Sequence, residues 1–301
     1  MFPNCSCALL LWCALVLAWY PATGSAAGGP EDVQLTASNS DEGLAFTAHN
    51  AHAYDITITL TLTRCENLHT DDPLTFTVPA GQTLRAVALA RDSAADTWQC
   101  RYDWHWNIGS TAARHDDAAR YVLPYLPGHA YPIIQGYQGR FSHTGQDEYA
   151  LDWAMPAGTP VCAARSGLVV AVKENSAIGG PDRSYSDQGN YVYLRHDDGT
   201  IGMYLHFAHH GVAVQPGQHI AAGEIIGYAG NTGFSTVAHL HFCVISGKDG
   251  FERVSLPVLF QLPDGSVRAL HEGDCFTAPA VADPGAVFYP EPAAVPPPPA
   301  S

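Results

Sequence analysis

"AHLHFCVI", residues 238–245, decides how the second half of the chain is read. Its apolar run predicts a buried strand, yet two alternate positions are histidine. Side chains at i and i+2 of a strand project to the same side, so His239 and His241 stand about 6 to 7 Å apart on one face, with Leu240 and Phe242 turned the other way. A single histidine in such a strand reads as a hydrogen-bonded core residue. Two in register point toward metal binding or acid–base chemistry.

Further strand-like runs precede this one: "GLVVAVK" at 167–173, "NYVYLRH" at 190–196, "IGMYLHF" at 201–207 and "HIAAGEIIGYAG" at 219–230, with glycines at nearly every connection. They predict a β domain over residues 129–262. At its start, "SHTGQDEYALDWAMPAGTPVCAA", residues 142–164, offers His143, Asp147, Glu148 and Asp152 within ten residues. Imidazole plus carboxylate is a donor set that zinc accepts, and a catalytic zinc keeps three protein ligands and one open position. His143, Asp152 and His241 supply such a set. His206, sharing a face with Tyr204, and His239 are then spare imidazoles, suited to stabilising an oxyanion or passing a proton to a leaving amine.

The runs "SHTGQDEYALDWAMPAGTPVCAARSGLVV", "GNYVYLRHDDGTIGMYLHF" and "VQPGQHIAAGEIIGYAGNTGFSTVAHLHF" together resemble the lysostaphin/LytM-type zinc metallopeptidases, peptidase family M23. The resemblance spans residues 142–244 and keeps the family's motif order. It implies an antiparallel β fold of the duplicated hybrid motif type around a groove. It also implies zinc held by a histidine, an aspartate and the second histidine of His-x-His, here Asp152 and His241, with His206 and His239 as the unliganded catalytic pair. The family spaces its first ligand four residues ahead of the aspartate, a position held here by Glu148. His143 reaching in from a longer loop is the preferred reading, since "YALD" alternates as a strand should. A His143–Asp147 pairing and Glu148 itself remain as alternatives. Asn231 and Thr232, in the glycine-rich "GNTGFST", are candidate substrate hydrogen-bond donors; an ordinary turn is the competing reading. Cys243, two positions beyond His241, is read as packing, with thiolate ligation as the alternative. His196, His209, His210 and His219 are read as solvated turn or strand-end residues.

Residues 31–128 alternate apolar and polar positions in short runs such as "YDITITLTLT" and "LRAVALA", predicting a separate N-terminal β-sandwich-like domain. Its histidines, His49, His52, His69, His105 and His115, together with His129, show no paired spacing and are read as surface or loop residues. Prolines and a glycine at 124–132 mark the boundary. Residues 263–301 are expected to be a C-terminal extension ending in a proline-rich tail, "YPEPAAVPPPPA".

The apolar run Ala8–Trp19 followed by small residues predicts a secretory signal peptide over 1–26, although no Lys or Arg precedes the run. Twelve residues fall short of a membrane span, which takes roughly 20, so no stable membrane anchor is expected after cleavage. Export to periplasm or medium makes a Cys65–Cys100 disulfide the favoured pairing, with Cys162, Cys243 and Cys275 left over. A net charge of −15 argues against nucleic acid as partner.

The expected function is an exported, zinc-dependent endopeptidase acting on peptidoglycan peptides. The alternative is a noncatalytic M23-like activator of other wall hydrolases. Cell-envelope proteins are the partners expected of the N-terminal domain.

Overall fold

The computed structural model describes residues 32–279; the expected signal peptide and proline-rich tail lie outside them. Among the described residues strands account for nearly all regular structure, and only two short 3₁₀ turns, Gly145–Asp147 and Arg183–Gln188, are helical. Every named strand pair is antiparallel except Gly179–Gly180 with Gly233–Phe234.

The N-terminal domain is a two-sheet sandwich. Strands Val33–Ser40, Gly43–Asn50, Thr83–Arg91 and Leu68–His69 form one sheet, and Thr75–Val78, Ile56–Glu66 and Gln99–Ile108 form the other. Alternation decides the packing: in "ITITL" the isoleucines Ile56 and Ile58 and Leu60 all point inward and are fully buried. Phe46 of one sheet meets Tyr102 of the other edge-on at 4.7 Å. Cys65 and Cys100, cross-strand partners, form the disulfide. His52 departs from the expected surface placement: it stacks on Tyr54 at 4.6 Å and is 9% exposed.

The second domain is built on a nine-stranded sheet whose central strand is Leu240–Gly247. One edge of that strand pairs with Ile201–Leu205. Along its other edge, the first half pairs with Leu151–Trp153 and the second half with Arg253–Leu256. The even positions Leu240, Phe242 and Val244 enter a core capped by a three-stranded sheet, through Val161, Ile226 and Phe207. The odd positions His241, Cys243 and Ile245 face the opposite way, Cys243 and Ile245 entering a core shared with the N-terminal sandwich. Strict alternation over one buried strand thus separates packing from chemistry.

Two boundaries differ from those expected. Tyr121, Leu123 and Tyr125 already belong to the second domain's core. Residues 263–279 rejoin the fold: Cys275–Thr277 pairs with Ala130–Gln135, and Leu270 is fully buried. A short polar segment carrying one apolar residue per turn has no period to betray its docking.

The two domains meet through glycines. A Cβ on Gly247 would lie 2.6 Å from the Gly109 carbonyl oxygen, and one on Gly250 would lie 2.2 Å from the His105 carbonyl oxygen. Only hydrogen at these positions lets the backbones approach. Asn107 donates to the Phe251 carbonyl, the Gly250 N–H donates to Thr59, and the His105 and Phe251 rings lie 4.3 Å apart.

Candidate active site

Asp152 and His241 are direct cross-strand partners, and Leu205 pairs with His241 on the other side. Cross-strand partners share a face, so the carboxylate and imidazole meet: His241 Nδ1 lies 2.9 Å from Asp152 Oδ1. His143 arrives from the loop between Ala130–Gln135 and Leu151–Trp153. Its N–H donates to the Gly139 carbonyl, Nδ1 donates to the Gly136 carbonyl at 2.8 Å, and Nε2 lies 3.1 Å from Asp152 Oδ2. Gln135 fixes the second carboxylate oxygen by donating to Oδ2 at 3.2 Å.

The other two acidic candidates go elsewhere. Glu148 accepts from Gln138, and Asp147 pairs with Arg253 at 2.9 Å. The 3₁₀ turn at Gly145–Asp147 absorbs the additional residues, so His143 rather than Glu148 stands beside Asp152 despite the longer spacing.

His206 and His239 complete the cluster, with ring centroids 4.5 Å apart. Each is held by Nδ1: His206 on the Thr232 carbonyl at 2.7 Å, His239 on the Val237 carbonyl at 2.8 Å, with Ser235 also at His239 Nδ1. A carbonyl only accepts, so the proton sits on Nδ1 and both Nε2 atoms are left for chemistry. His239 Nε2 is 3.7 Å from Asp152 Oδ1.

Burial alone would raise the Asp152 carboxyl. The hydrogen bond from His241 and the charge of the neighbouring imidazoles prevail, holding it far below the usual carboxylate range. Burial, together with the His239 and His241 rings, pushes His206 down to about 3, and burial likewise lowers His239. Both are therefore neutral bases near neutral pH.

The ligand atoms of His143, Asp152 and His241 all lie within 4.8 Å of one another. His143 gives the sharper test of whether they suit a cation. Its Nε2 is buried and makes no hydrogen bond, while Nδ1 holds the ring's proton. A neutral ring so oriented aims a lone pair at a carboxylate oxygen 3.1 Å away, an arrangement that repels unless a positive charge lies between. A second group, Asp147, His241 and Cys243, also falls within 4.8 Å, but Arg253 already neutralises Asp147. The donor set of two imidazoles and one carboxylate fits zinc.

The centre opens on a groove of about 1200 Å³, lined on its floor by Tyr191, Tyr193 and Leu205 and at its rim by Phe141 and Phe234. Neither Asn231 nor Thr232 lines it. The Thr232 hydroxyl turns inward, donating to the Phe207 carbonyl and accepting from the Asn190 N–H, and Asn231 accepts from Ser235. His196, expected in solvent, is 2% exposed and donates from Nδ1 to the Ser166 carbonyl. Cys162 and Cys243 are buried and unpaired.

Three residues without a spacing signature matter here. Gln135 orients Asp152. Asn190, fully buried, ties Ser176, Phe207 and Ala208 together and accepts the His206 N–H on its own carbonyl. Arg253 lines the groove. The dipeptide Gly189–Asn190 before a strand was the one available hint, and it reads equally as a turn.

Residues 146–252 match the family model described as peptidase family M23. This chain carries an M23 peptidase domain of the lysostaphin/LytM type. The chain is 35% identical over 133 residues to lysostaphin of Staphylococcus staphylolyticus, covering 44% of this chain and 24% of that protein. It is 37% identical over 94 residues to the peptidoglycan DD-endopeptidase ShyA of Vibrio cholerae, covering 31% and 19%. The chain thus spans about a quarter or less of the length of these two relatives. Among solved structures, the catalytic domain of lysostaphin from Staphylococcus simulans aligns at 28% identity and a TM-score of 0.30, covering 44% of this chain and 88% of that one.

Proposed function

We propose that the chain is an exported, zinc-dependent endopeptidase that hydrolyses peptide bonds of peptidoglycan. The observation that carries this reading is the convergence of His143 Nε2, an Asp152 oxygen and His241 Nδ1 beside two neutral, backbone-anchored histidines. His143, Asp152 and His241 would hold the zinc. When bound, zinc supplies Lewis-acid polarisation of the scissile carbonyl and a water acidified toward neutral pH. His239, with Nε2 turned to the site, takes a proton from the attacking water and passes it to the departing amine. His206, its ring proton held on Nδ1 by the Thr232 carbonyl, presents Nε2 as a second acceptor that orients the attacking water beside His239. Gln135 keeps Asp152 oriented, and the walls of the groove orient the peptide.

The names of the relatives support the substrate class: ShyA is a peptidoglycan DD-endopeptidase, and a further relative at 33% identity, ALE-1 of Staphylococcus capitis, is a glycyl-glycine endopeptidase. The Cys65–Cys100 disulfide supports export, since such bonds persist in oxidising compartments. Retention of all five site residues favours the enzyme over the noncatalytic activator.

Purified full chain added to cell-wall sacculi should release muropeptide fragments, and a chelator should abolish the release. His239→Ala should retain zinc while lowering the rate about 10²- to 10⁴-fold, the span of a lost general acid–base. Release that persists in the chelated sample would contradict the reading. Zinc-free protein that releases nothing but accelerates an added wall amidase would favour the activator.

A further inference from the structure

The M23 groove abuts the N-terminal sandwich. Ile108, the last residue of Gln99–Ile108, lines it alongside Tyr191, Tyr193 and Met203. The next residue, Gly109, is in backbone contact with Gly247. Arg253 is the cross-strand partner of Gly247 and lines the same groove. One domain therefore supplies a wall to the other's groove, and an arginine stands beside that wall.

The Arg253 side chain is only 15% exposed. It donates once to the Gln146 carbonyl at 2.8 Å and once to Asp147 Oδ1 at 2.9 Å. A guanidinium carries five N–H donors in a planar fork, of which Gln146 and Asp147 take two, and the Arg253 side chain lines the groove. A carboxylate oxygen of Asp147, in turn, lies within 4.8 Å of a ring nitrogen of His241. Arg253 is thus one side chain removed from the metal centre. In a chain of net charge −15 the long-range field repels carboxylates, so the cations that line the groove are local exceptions, and of Lys173, Arg183 and Arg253 the last is the one paired to Asp147 beside His241.

We infer that Arg253 is a substrate-binding residue that takes the C-terminal carboxylate of a short peptide whose scissile bond lies at the zinc site. This rests on the peptidase reading above and deepens it. Planar bidentate pairing is what arginine offers a carboxylate and what lysine does not. We take a chain terminus rather than a side-chain carboxylate as the ligand because Ile108, on the strand end whose next residue packs on Gly247, stands as a wall of the groove that Arg253 also lines. The stacked rings of Tyr191 and Tyr193, 4.3 Å apart, supply an apolar floor for small side chains.

Binding to the chelated full chain separates this site from the zinc, which attracts carboxylates itself, and from turnover. The probes are an N-acetylated dialanine-terminated peptide without other carboxylates, its C-terminal amide, and an amidated peptide carrying one side-chain carboxylate. The acid should bind at least tenfold more tightly than either amidated peptide. The paired substitution Asp147→Asn with Arg253→Met, which leaves no buried charge unpaired, should erase the difference while circular dichroism stays native. Arg253→Lys should retain only part of it. Equal affinity for acid and amide in the unsubstituted chain, a preference for the side-chain carboxylate, or a preference that survives the paired substitution would overturn the inference. An intact preference with no hydrolysis by the zinc-loaded protein would uphold it while counting against the peptidase reading.

Discussion

His206 has a left-handed backbone, φ +71°, a conformation that costs a non-glycine residue on the order of 1 kcal/mol or more. The Asn190 carbonyl holds its N–H and the Thr232 carbonyl holds its ring, so the strain is offset by bonds that aim Nε2 into the groove. His196 shows a different use of burial. Burial pushes it down to about 4 from an ordinary 6.5, against a hydrogen bond to Ser166 that raises it. Because the folded state resists protonation, the unfolded chain takes up the proton first. This contribution to stability is complete above pH 6.5 and is lost as pH falls toward 4. At about 1.4 kcal/mol per pH unit the loss is on the order of 3 kcal/mol. Denaturant titrations at pH 7 and pH 4.5 should show a smaller acid loss for His196→Gln than for the unsubstituted chain; an equal loss would refute the assignment. At this scale the paired histidines His239 and His241 were legible, since period-2 spacing places them on one face. The identity of the first ligand was not, because a loop insertion ahead of "YALD" carries no period. Arg253, His52 and His196 were missed for a related reason: a lone polar residue at a strand end looks the same in sequence whether it meets solvent or the partner domain.

At the scale of elements, strand Leu240–Gly247 does two jobs by alternation. One set of positions fills the core against the capping sheet, and the other carries His241 toward the groove. The strand's end then becomes the domain junction, where Gly247 and Gly250 admit the backbones of Gly109, His105 and Thr59. Gly247→Ala should cost about 1–3 kcal/mol by forcing the junction apart. Gly189→Ala, where the nearest atom to a new Cβ is 3.7 Å away, should cost under about 1 kcal/mol, the helix- or strand-interior difference at most. Chemical denaturation measures both, and equal costs would show that the contact is not tight. The strands themselves were legible because glycines punctuate the apolar runs. That the glycines also make the junction was not, since a turn glycine and a contact glycine share one letter.

Over the whole molecule, the N-terminal sandwich is fused to the sheet that carries the candidate site, across the boundary that the prolines and glycine of 124–132 suggest. A single buried cluster runs from Phe46 and Ile58 through Trp106 to Met203 and Ile245. Calorimetry should therefore record one unfolding transition for both domains; two well-separated transitions would contradict a shared core. The fold class was legible from short alternating runs. The fusion was not, because interdomain contacts join residues more than a hundred positions apart, such as Asn107 and Phe251, with no motif at either end. The central claim is that His143, Asp152 and His241 hold the metal that performs the hydrolysis. Anomalous-difference density at the zinc edge, from crystals of the full chain, tests it most directly. The account predicts one strong peak within bonding distance of His143 Nε2, an Asp152 oxygen and His241 Nδ1. A peak among Asp147, His241 and Cys243 instead, or none at saturating zinc, would contradict it.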